Sequence, residues 1–409
     1  MKRSLLIFLL VLVAWAAACA QEFPAWTPGF LDIHQISTGR GNAAFLEFPD
    51  GTTLLLDAGA FGDGLSFPNL DPRPNRSRRP GEWIARYIQH MLLGHPLQLD
   101  YALLTHFHVD HMGSPTEASP PSRSGAFKLS GITEVGDLIP VRTLIDRGEN
   151  YLPPPNDDTL RNYHAFVQEY VSKGMQRQTI EVGKTSQIVP TRQPGKYPLE
   201  VRAVAANGQV WTGKGEEARS IFPPLASVAP MDRPSENMCS IGLLIRYGSF
   251  IFFAGGDMPG IPDAGAPAWH SVESAVAEVI GPVDVHVANH HGSINPESPP
   301  FLAKLRSPVM ILPAWSPTHP SQDALQRMLS PRLYPGPHDI FVTYLRPPTQ
   351  ASIGNRAKQV KADHGHIVVR VSPGGDTYNV FVLDDTTESF RVLATFGPYH
   401  SMAKSAPKP

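Results

Sequence analysis

Thr105-His106-Phe107-His108-Val109-Asp110-His111 is the stretch on which the fold and the chemistry of this chain turn. Three imidazoles and a carboxylate fall within six residues, directly after Tyr101 to Thr105, a short apolar run that predicts a buried strand. Such density of His and Asp beside a core is costly unless a metal or hydrogen bonds satisfy it. Alternation puts His106 and His108 on one side of an extended segment, and a turn at Asp110 and His111 presents a second pair. One loop can thus supply ligands to two adjacent metal ions. Imidazole and carboxylate suit Zn2+, with Mn2+ or Fe as substitutes. A structural zinc site more often uses thiolates, and the chain has only two cysteines, Cys19 and Cys239. Cys239 precedes a strand-like run and reads as a small buried residue.

Around this loop the pattern alternates strands with helices. Ala43 to Phe48 and Thr52 to Asp57 flank the turn signal Pro49-Asp50-Gly51, and Ser240 to Tyr247 and Phe250 to Gly255 flank Gly248-Ser249; both read as hairpins. Trp83, Ile84, Tyr87, Ile88, Met91 and Leu92 recur at helical spacing, and Ser271 to Ile280 also reads as a helix. Further strands are predicted at Val283 to Ala288, Val309 to Leu312, Ile340 to Tyr344, His366 to Val371 and Tyr378 to Leu383. Two sheets with helices outside, an α/β sandwich, is the fold class this pattern predicts. Gly62 to Gly81 and Gly113 to Gly131 read as loop insertions. Arg73, Arg76, Arg78 and Arg79 in the first suit a solvated loop better than a phosphate-binding patch.

The chain has 409 residues, long enough for one large domain or two of ordinary size. Hydrophobic content of 42% excludes wholesale disorder, and 42 prolines predict many rigid loops. Lys2 and Arg3, the apolar run Leu5 to Val13 and Ala18-Cys19-Ala20 predict a signal peptide over residues 1–20, cleaved before Gln21. Lipid attachment at Cys19 is the alternative, so the protein is expected to be exported, periplasmic or secreted, or lipid-anchored. No later segment is long and apolar enough to span a bilayer. Without Lys2 and Arg3 the chain holds 33 basic and 37 acidic residues, a net charge of -4. That balance gives no basic field, so strong nucleic-acid binding is not expected. Residues 21–400 are expected to form a single domain, followed by a mobile tail at 401–409.

The loop resembles the His-x-His-x-Asp-His signature of the metallo-β-lactamase superfamily. Three further segments carry the resemblance. Leu54-Leu55-Leu56-Asp57-Ala58-Gly59 is similar to the family's strand ending in Asp-x-Gly. Phe252-Phe253-Ala254-Gly255-Gly256-Asp257 is similar to its strand ending in Gly-Asp. Val283 to Ser293, ending His290-His291-Gly292-Ser293, is similar to its last ligand strand. The His-His-Gly-Ser ending resembles the branch of the ComEC/Rec2 competence-protein hydrolase domain, related to choline-phosphate esterases. Gly39-Arg40-Gly41-Asn42-Ala43 and Thr318-His319-Pro320-Ser321 fit the same branch, and coverage runs from about Leu31 to Val371.

The resemblance implies a four-layer αββα sandwich and two divalent metal ions that make a water reactive. It implies His106, His108 and Asp257 at one ion, and Asp110, His111, Asp257 and either His290 or His291 at the other, His290 being slightly preferred. Asp57 is implied to buttress the metal loop. Asp110 is also a candidate for orienting the nucleophile. His319 either protonates a leaving group or holds an anionic oxygen, or is a surface histidine beside Pro320. Asn237 and Ser293 are candidates for touching the substrate, and Asn237 also suits a turn. Many superfamily hydrolases carry another His ligand before the bridging aspartate. Here only His164 lies there, in a segment that reads as a surface helix. The implied activity is hydrolysis of a phosphoester or phosphodiester, of small-molecule or nucleotide type. Lactone, thioester or β-lactam hydrolysis, or a binding protein that retains the fold, are the alternatives.

Overall fold

The computed structural model describes residues 21–63, 70–149, 151–152 and 157–402. The leader at 1–20 with Cys19, part of the Gly62 to Gly81 insertion and the tail from 403 lie outside the described residues. In chain order the strands are β1 Leu31–Gln35, β2 Ala44–Glu47, β3 Thr53–Leu56, β4 Leu99–Leu103, β5 Val141–Asp146, β6 Gln176–Thr179, β7 Leu199–Ala206, β8 Gln209–Trp211, β9 Ala218–Ser220, β10 Gly242–Tyr247, β11 Phe250–Ala254, β12 Val285–Val287, β13 Val309–Leu312, β14 Asp339–Val342, β15 His366–Val371, β16 Thr377–Leu383 and β17 Val392–His400. The helices are α1 Pro80–Met91, α2 Val109–Met112, α3 Gly131–Leu138, α4 Asp158–Ser172, α5 Val272–Ile280, α6 Pro299–Leu305, α7 Gln322–Met328 and α8 Pro347–Ile353.

Two sheets result. One runs β17-β16-β15-β1-β2-β3-β4-β5-β6, the other β14-β13-β12-β11-β10-β7-β8-β9. Each mixes antiparallel hairpins with a parallel stretch: β3 to β6 in the first sheet, β11 to β14 in the second. The largest apolar cluster lies between the sheets, joining Leu31, Ile33, Leu54, Leu56 and Leu103 to Leu243, Ile245, Phe252, Val285 and Ile311. Alternation turns Phe45, Leu55, Ala102 and Leu144 the other way, onto Ile84 and Ile88 of α1, Ile132 and Val135 of α3, and Phe166 of α4. On the opposite outer face Val276 of α5 and Phe301 of α6 pack on Leu244 and Phe253, and Leu325 of α7 packs on Met310 and Ile340. The order helix, sheet, sheet, helix is the αββα sandwich, held together by burial of apolar area at roughly 25 cal/mol per Å².

Both expected hairpins form, as do the helix over Trp83 to Met91 and the strands from Val309 onward. The arginines of the first insertion are neither a phosphate patch nor simply solvated. Arg73 grips Asp385 through two bonds of 2.9 and 2.8 Å, and Arg76, Arg78 and Arg79 pair with Asp71, Glu82 and Glu134. Each guanidinium ties a loop or helix start to a carboxylate, which the run of charges in the sequence did not reveal. Cys239 is free and buried.

Candidate metal centre

β3 and β4 are neighbours in the parallel part of one sheet, β11 and β12 in the parallel part of the other. The loops that leave their C-terminal ends meet, as the approaches of His111 Nε2 to Asp257 Oδ1 (3.0 Å) and of His291 Nε2 to Asp110 Oδ2 (3.1 Å) show. This brings Asp57, the His106 to His111 segment, Asp257 and His290-His291 together. Close backbone approach is required. A side chain on Gly59 would put its Cβ 1.8 Å from the Asp110 carbonyl oxygen, so only glycine lets the β3 loop pass the metal loop there.

Asp57 is buried and binds through oxygen on every side. It accepts from the Thr105 amide (2.7 Å), the Thr105 hydroxyl (2.8 Å), Asn42 Nδ2 (2.9 Å) and His111 Nδ1 (2.7 Å). A carboxylate can only accept, so His111 carries its proton on Nδ1 and turns the lone pair of Nε2 inward. His291 does the same by another route: its Nδ1 donates to the Pro313 carbonyl at 3.1 Å. The inward Nε2 atoms then meet carboxylates. His111 Nε2 lies 3.0 Å from Asp257 Oδ1, without the alignment of a hydrogen bond, and His291 Nε2 lies 3.1 Å from Asp110 Oδ2. An acceptor nitrogen this close to an acceptor oxygen needs a proton or a cation shared between them.

The donor atoms fall into two groups joined by Asp257. Asp110, His111, Asp257 and His291 offer ligand atoms all within 4.8 Å of one another, and so do His106, His108 and Asp257. Among the described residues, every ion-pair partner of Asp110 and Asp257 is a histidine. A buried carboxylate, Asp257, and a partly buried one, Asp110, with no Lys or Arg paired to them and ringed by imidazoles, are the donor set of a divalent cation. Without one the cluster must share protons. Burial works against ionised Asp257 and Asp110, but the imidazoles of His111 and His291 outweigh it and hold both carboxyls below the usual range. Burial, reinforced by His111, keeps His106 neutral; at His111 burial is overcome by Asp257, Asp57 and Asp110, which raise it.

His290 sits at the rim. Its Nε2 is 3.7 Å from Asp257 Oδ2 and 3.3 Å from Asn237 Nδ2. Both His290 and His291 adopt left-handed backbone, at φ 45° and 55°, a conformation that costs non-glycine residues about 1–2 kcal/mol each. A buried brace holds them. Glu297 accepts from the Asn289 amide (3.0 Å) and contacts His286 Nε2 (3.0 Å), while Glu273 accepts from Asn289 Nδ2 (2.8 Å). On the other side Arg147 binds Glu236 through two bonds of 2.7 and 2.6 Å, and Glu236 accepts from the Phe107 amide (2.8 Å). His319 is buried and stacks on His291, ring centres 4.9 Å apart, with Trp315 at right angles and Nδ1 without a partner. Burial, then the neighbouring His291, lowers its basicity. The Ser293 hydroxyl is also buried without a partner.

Of the residues singled out in the sequence, all seven histidines and aspartates named as ligands meet here, with Asp57, Asn237 and His319 in contact with them. His164 does not: it lies on α4, half exposed, paired with Glu149 at 2.9 Å. Asn42, Thr105, Glu236, Glu273 and Glu297 were not picked out as site residues. Only Asn42 and Thr105 carried a signal, as members of motifs already quoted; a lone glutamate in a loop carries none.

No family model matches the chain, and no curated protein matches it. Among solved structures it is similar to a mutant of the CmlA beta-hydroxylase, at 15% identity and a TM-score of 0.36, over 85% of this chain. It spans 54% of that hydroxylase. It is also similar to Zn2+-bound PqqB from Methylobacterium extorquens, at 13% identity and a TM-score of 0.37, over 80% of this chain and 86% of that one. Unliganded yeast PDE1 is a third, at 11% identity and a TM-score of 0.37, over 82% and 96%. Likenesses this weak do not assign a family.

Proposed function

We propose that the protein is a metal-dependent hydrolase of the metallo-β-lactamase type, acting on phosphoesters or phosphodiesters. The observation that carries this reading is the pair of inward Nε2 atoms on His111 and His291, fixed by Asp57 and Pro313 against the carboxylates of Asp257 and Asp110. His106, His108 and Asp257 would hold one divalent cation, and Asp110, His111, Asp257 and His291 the other. The geometry favours His291 over His290 as the last ligand, the reverse of the preference read from the sequence. His291 is buried with its outer nitrogen anchored, whereas His290 is about a third exposed and faces Asn237.

Bound divalent cations of this kind lower the pKa of a water and polarise a phosphoryl oxygen. The chain's own residues do the rest. Asp110, partly open to solvent beside His291, is placed to accept a proton from the attacking water. His319, stacked on His291, is the remaining imidazole beside the ligand set. His290 and Asn237 border a cleft of about 320 Å³ that Arg233 and Asn295 also line. The guanidinium of Arg233 supports an anionic substrate. The net charge of -2, or -4 without Lys2 and Arg3, supports a small phosphoester over a long nucleic acid. Export rests on the leader read in the sequence. No helix of the described residues is long and apolar enough to cross a membrane.

A panel of bis-p-nitrophenyl phosphate, p-nitrophenyl phosphorylcholine, single-stranded DNA and nitrocefin, each with added Zn2+ or Mn2+, tests the assignment. Turnover of the first two and not of nitrocefin is expected. Turnover of nitrocefin alone would overturn the phosphoester reading.

A further inference from the structure

A second cavity lies away from the metal centre, on the outer face of the nine-stranded sheet. It offers about 380 Å³ between that face, the end of α1 and the segment Glu22 to Trp26. Strand alternation sets its floor. Leu31, Ile33, Ala44 and Leu46 point into the core between the sheets, which turns Asp32, His34 and Glu47 outward. Asp32 and Glu47 are direct cross-strand partners.

The two carboxylates are treated very differently. Asp32 is gripped by Arg370 through bonds of 2.8 and 2.5 Å. Glu47 is 2% exposed, and among the described residues its carboxylate makes no hydrogen bond. The guanidiniums nearest to it are already committed: Arg370 to Asp32, and Arg192 to Asp100 and the Gly51 carbonyl. Burial, with Asp32 as the next cause, pushes its carboxyl up to about 8. A buried carboxyl left without a partner beside open space is expensive unless something binds it. The walls are aromatic. Phe23, Trp26 and Phe390 line the cavity, with Phe390 edge-on to His90 at 4.8 Å.

We propose that this cavity binds a small organic cation, whose ammonium group meets Glu47 and whose alkyl substituents lie against Trp26 and Phe390. An anion is disfavoured because no Lys or Arg lines the cavity, whereas Glu22 and Glu47 do. A metal ion is disfavoured because, among the described residues, the ligand groupings lie only at the metal centre. Aromatic faces beside a buried carboxylate attract alkylated ammonium groups through the ring quadrupole, an interaction that strengthens as water is removed. The site does not depend on the hydrolase reading, since it shares no residue with the metal centre.

Calorimetric titration with choline, and with its uncharged carbon analogue 3,3-dimethyl-1-butanol, tests the proposal. Saturable binding of choline and none of the analogue is expected. Glu47→Gln, which keeps the shape and removes the carboxyl that a bound ammonium group would ionise, should weaken choline binding about tenfold or more, the equivalent of ~1.4 kcal/mol. Phe390→Leu should weaken it too, and both variants should keep the circular dichroism and the phosphoester turnover of the parent. Phosphatidylcholine vesicles in place of choline distinguish a membrane headgroup from a free amine as the source. No saturable binding of either, equal binding of the neutral analogue, or choline binding undiminished in both variants would overturn the site.

Discussion

Asp57 reaches no cation in this account, yet it sets the chemistry of one that does. By accepting hydrogen bonds from the Nδ1–H of His111 and from both the amide and hydroxyl of Thr105, it fixes the ring that faces Asp257. Asp57→Asn keeps the size but can no longer accept from every side. Metal affinity is expected to fall about 10–100-fold, as for other partners of metal-bound imidazoles, measured by competition with a chromophoric chelator. His291 and His290 should separate cleanly. His291→Ala is expected to lose bound metal, while His290→Ala keeps the metal and raises KM; atomic-emission metal analysis beside steady-state kinetics reads both. His108→Ala should abolish turnover and lower metal content with the fold retained, and unchanged turnover would count heavily against the mechanism. At this scale the sequence was informative where titratable residues were dense, as in His106 to His111, because such density has no cheap structural explanation. It could not choose between His290 and His291, because that choice depends on two left-handed backbone residues and on the Pro313 carbonyl, none of which leaves a mark in the local pattern.

Elements carry the site by ending in the right place. β3 and β4 deliver Asp57 and the metal loop from one sheet, and β11 and β12 deliver Asp257 and His291 from the other. The crossing of the β3 and metal loops admits no side chain at Gly59, so Gly59→Ala should destabilise the fold by several kcal/mol or prevent folding. Chemical denaturation measures the loss, and a variant as stable as the parent would contradict the loop crossing. The Glu297 brace makes a subtler claim. It holds Asn289 and His286, not the metal, so its loss should lower metal affinity only through the strained turn. Elements that alternate cleanly, such as β2 with β3 or β10 with β11, were readable as hairpins. β6 was not: Gln176-Arg177-Gln178-Thr179 is an exposed edge with no apolar residue at all. β17 hid as well, because Gly397 and Pro398 interrupt an exposed strand whose pairing partner, β16, is the only thing that defines it. The brace itself was invisible, since Glu273 and Glu297 read in sequence as ordinary solvated acids, and only the tertiary packing buries them.

The whole molecule is a sandwich whose apolar middle was predictable from hydrophobic pattern, while its buried charges were not. Those charges give it a pH signature. Glu47 is raised to about 8 in the fold against 4.5 unfolded, so the stability it supports is full below pH 4.5 and lost as pH rises through 8. His366 is lowered by burial to about 4 against 6.5, so its contribution is present above 6.5 and lost as pH falls through 4. Melting temperature is therefore expected to decline on both sides of a near-neutral optimum. Glu47→Gln should flatten the alkaline side only, and an unchanged alkaline decline in that variant would assign it to other groups.

The central claim is that residues from both sheets cage two divalent cations. Crystals grown with Zn2+ or Mn2+ and measured at the metal's absorption edge test it most directly. Two anomalous peaks are expected, one among His106, His108 and Asp257 and one among Asp110, His111, Asp257 and His291. A saturating metal concentration that left both positions without a peak, the imidazoles keeping their bonds to one another, would contradict it.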